Sequence, residues 1–146
     1  IWIKFSDDIL NWEDKESILL LTGRQDSWEE KIGGSTPPLK TDKGWLMLYH
    51  GVESGGLGYY RVGAVLLDSN NPTKVIGRTR TPILEPEFDQ INGYYHGCVF
   101  PTGNVIVDEK LYVYYGSADK YVCVATCNVN ELVDYLLSDE CSVDKI

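Results

Sequence analysis

One pattern occurs twice in the chain, and that repeat limits the fold more than any other feature. The first copy reads Gly44-Trp45-Leu46-Met47-Leu48-Tyr49-His50-Gly51, turns, and resumes as Tyr59-Tyr60-Arg61-Val62-Gly63-Ala64-Val65-Leu66-Leu67-Asp68. The second reads Lys110-Leu111-Tyr112-Val113-Tyr114-Tyr115-Gly116, turns at Ala118-Asp119, and resumes as Tyr121-Val122-Cys123-Val124-Ala125-Thr126-Cys127. Each copy is an aromatic strand ending in glycine, a polar turn and a strand of small residues. The glycines Gly51 and Gly116 are 65 residues apart, and Ala64 and Ala125 are 61 apart. Short strands repeating at this period fit the four-stranded antiparallel blades of a β-propeller. The expected fold class is therefore all-β.

Each copy also has an apolar stretch upstream, at 32–41 and at 97–107. Pro37, Pro38 and Pro101 withhold a ladder hydrogen bond and mark bends or edges there. The turns Thr41-Asp42-Lys43-Gly44 and Val107-Asp108-Glu109-Lys110 then close hairpins into the aromatic strands. Ser6-Asp7-Asp8-Ile9-Leu10-Asn11-Trp12 reads as a turn with apolar anchors, and Ile18-Leu19-Leu20-Leu21 as a short buried run. A short helix near 131–137, capped by Asn128 or Asn130, ends the pattern.

Composition narrows the function. The chain is 43% hydrophobic, enough for a packed core, so a disordered tail is excluded. A net charge of −9 disfavours nucleic acid and acidic membrane surfaces as partners. No apolar run is long enough to span a bilayer as a helix. The first residues, Ile1-Trp2-Ile3-Lys4-Phe5, alternate like a strand rather than a signal peptide. The start without Met predicts a missing N-terminal portion. Cys123 and Cys127 would share one face of a strand about 13 Å apart, too far for a disulfide. They lack metal-ligand spacing, so no metal is expected. Cys98, Cys123, Cys127 and Cys141 are expected as buried free thiols, which favours a reducing, cytoplasmic location.

Several motifs in order then resemble glycoside hydrolase family 130, the β-mannoside phosphorylases and mannosidases. They are Ser6-Asp7-Asp8-Ile9-Leu10-Asn11-Trp12, Trp28-Glu29-Glu30-Lys31-Ile32-Gly33, Tyr49-His50-Gly51-Val52, and Tyr60 through Asp68 followed by Pro72-Thr73-Lys74. Glu85-Pro86-Glu87, Val99-Phe100-Pro101-Thr102-Gly103 and Tyr114-Tyr115-Gly116-Ser117-Ala118-Asp119 complete the series. The set covers nearly the whole chain. Two departures are Gly97-Cys98, where the family usually has Asn-Val, and the unusual Tyr94-Tyr95-His96.

The resemblance implies a five-bladed propeller of which this chain forms the C-terminal half, some two to three blades. The expected division is a blade remnant at 1–27, blades at 28–84 and 85–127, and a helix and tail at 128–146. It implies cleavage of β-mannosidic bonds with inversion, by phosphorolysis to mannose 1-phosphate in preference to hydrolysis. Inorganic phosphate is then a co-substrate, with no other cofactor, and the partners are an oligosaccharide and the N-terminal half of the propeller. The resemblance leaves a homo-oligomer open. It places the general acid outside this chain.

The same resemblance suggests roles. Lys31 contacts phosphate or mannose, His50 and Tyr60 contact phosphate, and Asp119 holds sugar hydroxyls. A Lys, a His donor and a Tyr hydroxyl suit a phosphate dianion, and a carboxylate suits hydroxyls. Tyr60 and Arg61 point to opposite faces of a strand, so only one meets the channel, and Tyr60 is preferred. Glu87, beside Glu85, is the candidate base if water is the nucleophile. His96 matches nothing. The plainer roles are a surface lysine for Lys31, a packed His50 and Tyr60, and a turn-forming Asp119. Two other classes stay open: a non-catalytic carbohydrate-binding propeller and an arabinanase-like or invertase-like glycosidase.

Overall fold

The computed structural model describes residues 1–13, 15–87 and 92–143. Ten strands and one α-helix occur among them, so the all-β class stands. A two-stranded ribbon pairs β1 (Trp2–Lys4) with β2 (Ser17–Leu19). The first sheet has the order β3 (Lys31–Gly34), β5 (Gly44–Val52), β6 (Arg61–Leu67), β7 (Val75–Arg78), with β4 (Leu39–Thr41) also on β5. The second sheet has the order β10 (Tyr121–Asn128), β9 (Lys110–Ser117), β8 (Val99–Val107). All named strand pairs are antiparallel.

The stretch expected as one strand at 32–41 is two. β3 and β4 lie end to end along one edge of β5, opposite Val52 to Tyr49 and Leu46 to Gly44. Pro37 and Pro38 fall in the gap, where neither can donate to the ladder. The first sheet is therefore four strands deep, whereas the second has three. Four-strand depth is thus seen once, and the chain passes from β10 into the helix α1 (Val129–Leu136).

The even positions of β5 and β6, Leu46, Leu48, Val62, Ala64 and Leu66, pack against Val99, Leu111, Val113 and Tyr115 of the second sheet and against α1. The odd positions Met47, Tyr49, Val65 and Leu67 face Leu21 on the other side. This two-sided burial explains why β5 and β6 are nearly continuous apolar runs rather than alternating ones. Helix α1 starts two residues earlier than expected. The Asn128 side chain accepts from the backbone N–H groups of Asn130 and Glu131, and Leu132, Val133 and Leu136 enter the core.

Three expectations of burial fail. In the run 18–21 only Leu21 is buried; Ile18 and Leu19 are 37% and 50% exposed on a two-stranded ribbon. The turn at 6–12 is held by polar groups instead of apolar anchors. Ser6 Oγ donates to Asn11 O and Trp12 Nε1 donates to Ile9 O, while Ile9 and Leu10 are exposed. All four cysteines are free, but only Cys98 and Cys141 are buried; Cys127 is exposed, because β10 is an outer strand of its sheet. No helix among the described residues is long and apolar enough to cross a membrane.

Candidate active site

The end of β5 nearest Gly51 carries the site. Gly33 pairs with His50, so both side-chain directions point to one face, and Lys31 and Ser35 flank Gly33 on that face. A Cβ on Gly33 would lie 2.5 Å from His50 Cε1 and Nε2, so the imidazole rests on the bare backbone of β3. Only glycine leaves room for it. Ser35 Oγ lies 3.2 Å from His50 Nδ1.

Two rings flank this histidine, and a third stands behind them. Its centroid is 4.7 Å from Phe100 and 5.5 Å from Tyr60, and Tyr60 in turn meets Tyr95 edge-on at 5.5 Å. Burial lowers the pKa of His50 below its ordinary value, so the ring is neutral near pH 7 and donates from one nitrogen. Tyr60 forms a short parallel bridge with Cys98, donating its N–H to Gly97 O and accepting from Val99 N. That bridge joins the two sheets at the site.

Asp119 approaches from the hairpin between β9 and β10. Ala118 and Asp119 both have φ of 51°, and Lys120 N closes the turn on Ser117 O. The two positive φ values match the twist of the strands, and Asp tolerates this region better than most residues. Ala118 N donates to Cys98 O, which seats the turn against the start of β8. The Cys98 thiol lies 4.0 Å from Asp119 Oδ1. Burial first, and the Asp119 charge second, push that thiol up to about 11. Tyr60 is raised as well, mainly by burial, with Tyr95, Cys98 and Asp119 adding to it. His50, Tyr60 and Asp119 thus form one neighbourhood, with Lys31 exposed on the same face of β3.

Arg61 belongs elsewhere. Its guanidinium lies 3.8 Å from Glu53 and 3.5 Å from Glu85, and over the Tyr59 ring. Glu87 is an exposed residue beyond Glu85, and His96 is exposed just before Gly97. Ser35, Tyr95, Phe100 and Cys98 were given no role in the site from sequence. Only the β3–β5 register and the Tyr60–Cys98 bridge reveal them, and both join segments distant in the chain.

On the opposite face of the first sheet lies a buried charge network. Glu29 is fully buried; its Oε2 accepts from Arg78 Nη2 at 2.8 Å and Tyr49 Oη at 2.5 Å, and its Oε1 from Arg24 Nη1 at 2.5 Å. Burial pushes Tyr49 up to about 12. A hollow of about 680 Å³ opens beside Arg24, Glu29 and Arg78. It lies away from His50, and Arg24 and Arg78 are already paired with Glu29 there, so the face at His50 is the better candidate for chemistry.

The family model for glycoside hydrolase family 130, described as beta-1,4-mannooligosaccharide phosphorylase, matches residues 1–138. The chain belongs to glycoside hydrolase family 130. It is 43% identical over 134 residues to a 1,2-beta-oligomannan phosphorylase of Thermoanaerobacter sp. (strain X514), covering 90% of this chain and 44% of that protein. The solved beta-1,2-mannobiose phosphorylase of Listeria innocua, in complex with beta-1,2-mannobiose, superposes with a TM-score of 0.83 at 37% identity, covering 92% of this chain and 38% of that one. A second family 130 structure, described with glycoside hydrolases that target beta-1,2 mannosidic linkages in Candida mannan, has a TM-score of 0.74 at 31% identity, covering 88% of this chain and 40% of that one. The chain therefore spans less than half the length of these relatives.

Proposed function

We propose that this chain forms the C-terminal half of a five-bladed β-propeller that phosphorolyses β-mannosides with inversion, giving mannose 1-phosphate. The blades are a remnant at 1–27 and two at 28–84 and 85–127, followed by the helix and tail at 128–146. The observation that carries the reading is the meeting of His50, Tyr60 and Asp119 on one face, with Lys31 beside them. Phosphorylase relatives that match most of the chain support it.

The roles follow from the charges. Lys31 supplies a fixed positive charge for phosphate. Neutral His50 donates from Nε2, which lies over Gly33, while Nδ1 faces Ser35. The raised pKa of Tyr60 keeps its hydroxyl protonated and able to donate. Asp119 accepts hydroxyls of the mannose ring. A phosphate oxygen bonds to the anomeric carbon as the glycosidic C–O bond breaks, and the departing oxygen takes a proton from an acid outside this chain. No further cofactor is required, and the free thiols accord with a cytoplasmic setting.

Hydrolysis is the second reading, favoured by the structural likeness to the family member described with mannan hydrolases. Glu87 would then be the base that activates water across the sugar from the acid. The test is to incubate the full-length protein with β-1,2- and β-1,4-mannobiose, with and without phosphate. Mannose 1-phosphate formed only with phosphate supports phosphorolysis. Free mannose released at equal rates in both conditions supports hydrolysis and refutes it.

A further inference from the structure

A neutral imidazole carries one proton, on Nδ1 or on Nε2, and only the nitrogen that carries it can donate. The hydrogen bond made by one nitrogen decides the state of the other. In His50 the bonded nitrogen is Nδ1, with Ser35 Oγ at 3.2 Å. Ser35 is the one side chain that hydrogen-bonds this ring among the described residues.

The backbone fixes where that hydroxyl stands. Ser35 follows Gly34, the last residue of β3, and its N–H donates to Leu48 O at 3.3 Å. The ladder with β5 thus runs one residue past β3 before Pro37 and Pro38 interrupt it. Ser35 lies two positions on from Gly33, so its side chain falls on the face of His50. The ring itself is fixed by Gly33, against which Cε1 and Nε2 rest, and by Tyr60 and Phe100 on its flanks.

A serine hydroxyl can donate or accept, and the two choices give opposite histidines. If Nδ1–H donates to Oγ, the Ser35 proton has no acceptor among the described residues, and Nε2 presents a lone pair that repels an anion. If Oγ–H donates to Nδ1, one bond satisfies both groups and the imidazole proton sits on Nε2.

We propose that Ser35 is a positioning residue, whose hydroxyl donates to Nδ1 and so holds His50 with its single proton on Nε2. The use of that proton for phosphate rests on the reading of His50 given above.

The test is nitrogen NMR of the full-length protein labelled with 15N-histidine, at pH 7.5 in a buffer free of phosphate. His50→Gln identifies the His50 signals by their loss. In the parent, Nε2 should give the protonated, pyrrole-like signal and Nδ1 the unprotonated one. In Ser35→Ala the two signals should move toward each other as the other tautomer is populated. Ser35→Thr keeps the hydroxyl and should keep the parent signals. Equal His50 signals in Ser35→Ala and the parent overturn the role of Ser35, as does a parent protonated on Nδ1. A lower Tm in Ser35→Ala with unaltered signals assigns the serine to packing and overturns it too. Steady-state kinetics then test the reading beneath it. Ser35→Ala should raise KM for phosphate roughly three- to tenfold, the size of one hydrogen bond, and leave KM for β-mannobiose unchanged. Altered signals with an unchanged KM for phosphate keep the role of Ser35 and remove that of His50 toward phosphate.

Discussion

Ser35 Oγ and His50 Nδ1 face each other at 3.2 Å across the β3–β5 pair. That contact fixes the imidazole so that Nε2 lies over Gly33, on the face shared with Lys31.

The pH dependence of stability follows from this burial. His50 has a lowered pKa in the folded chain, while the unfolded chain takes up the proton near the ordinary 6.5. Its contribution is complete above pH 6.5 and declines as pH falls through 6.5 toward the folded value. The urea midpoint of the parent should drop more between pH 7.5 and 5.5 than that of His50→Gln. An equal drop would show that His50 is not held neutral.

Gly33→Ala should leave the fold intact and displace the ring. The added methyl meets imidazole atoms rather than backbone, so the side chain yields before the strand does. Stability should change by about 1 kcal/mol or less, while KM for phosphate rises several-fold. A loss of stability with an unchanged KM would separate His50 from phosphate.

Glu29 should dominate stability from the other side of the sheet. It is fully buried against Arg24 and Arg78 and is bonded to Tyr49. Glu29→Ala leaves buried guanidinium charge uncompensated, which costs about 3–5 kcal/mol. Denaturant unfolding measures it, and a cost below about 1 kcal/mol would contradict a dry network.

At the second sheet, Asn128→Ala removes the acceptor for Asn130 N and Glu131 N. The expected cost is about 1 kcal/mol, and Asn128→Ser should recover most of it. An unchanged unfolding midpoint would mean that core contacts through Leu132 and Leu136 hold α1 without its cap.

The strands were legible wherever they are long. Residues 44–52 and 110–117 announce themselves by an aromatic, apolar pattern that repeats, and α1 by its cap and periodicity. The edges were not. Ile18 and Leu19 have the composition of core residues, but exposure depends on what lies above them, which local sequence does not encode. In the site, Lys31, His50, Tyr60 and Asp119 came from ordered motifs. Their proximity rests on the Tyr60–Cys98 bridge, which joins residues 38 positions apart and leaves no local signature. The Glu29–Arg78 pair spans 49 positions and was hidden for the same reason.

The central claim is that one face divides its work, with Lys31 and His50 for phosphate and Asp119 for the sugar. The most direct measurement is a steady-state comparison of Lys31→Ala and Asp119→Ala in the full-length protein, with phosphate and β-mannobiose varied independently. Lys31→Ala should raise KM for phosphate at least tenfold and that for mannobiose far less, and Asp119→Ala should do the reverse. Equal effects of both substitutions on both substrates, or no effect of Lys31→Ala on phosphate, would contradict it.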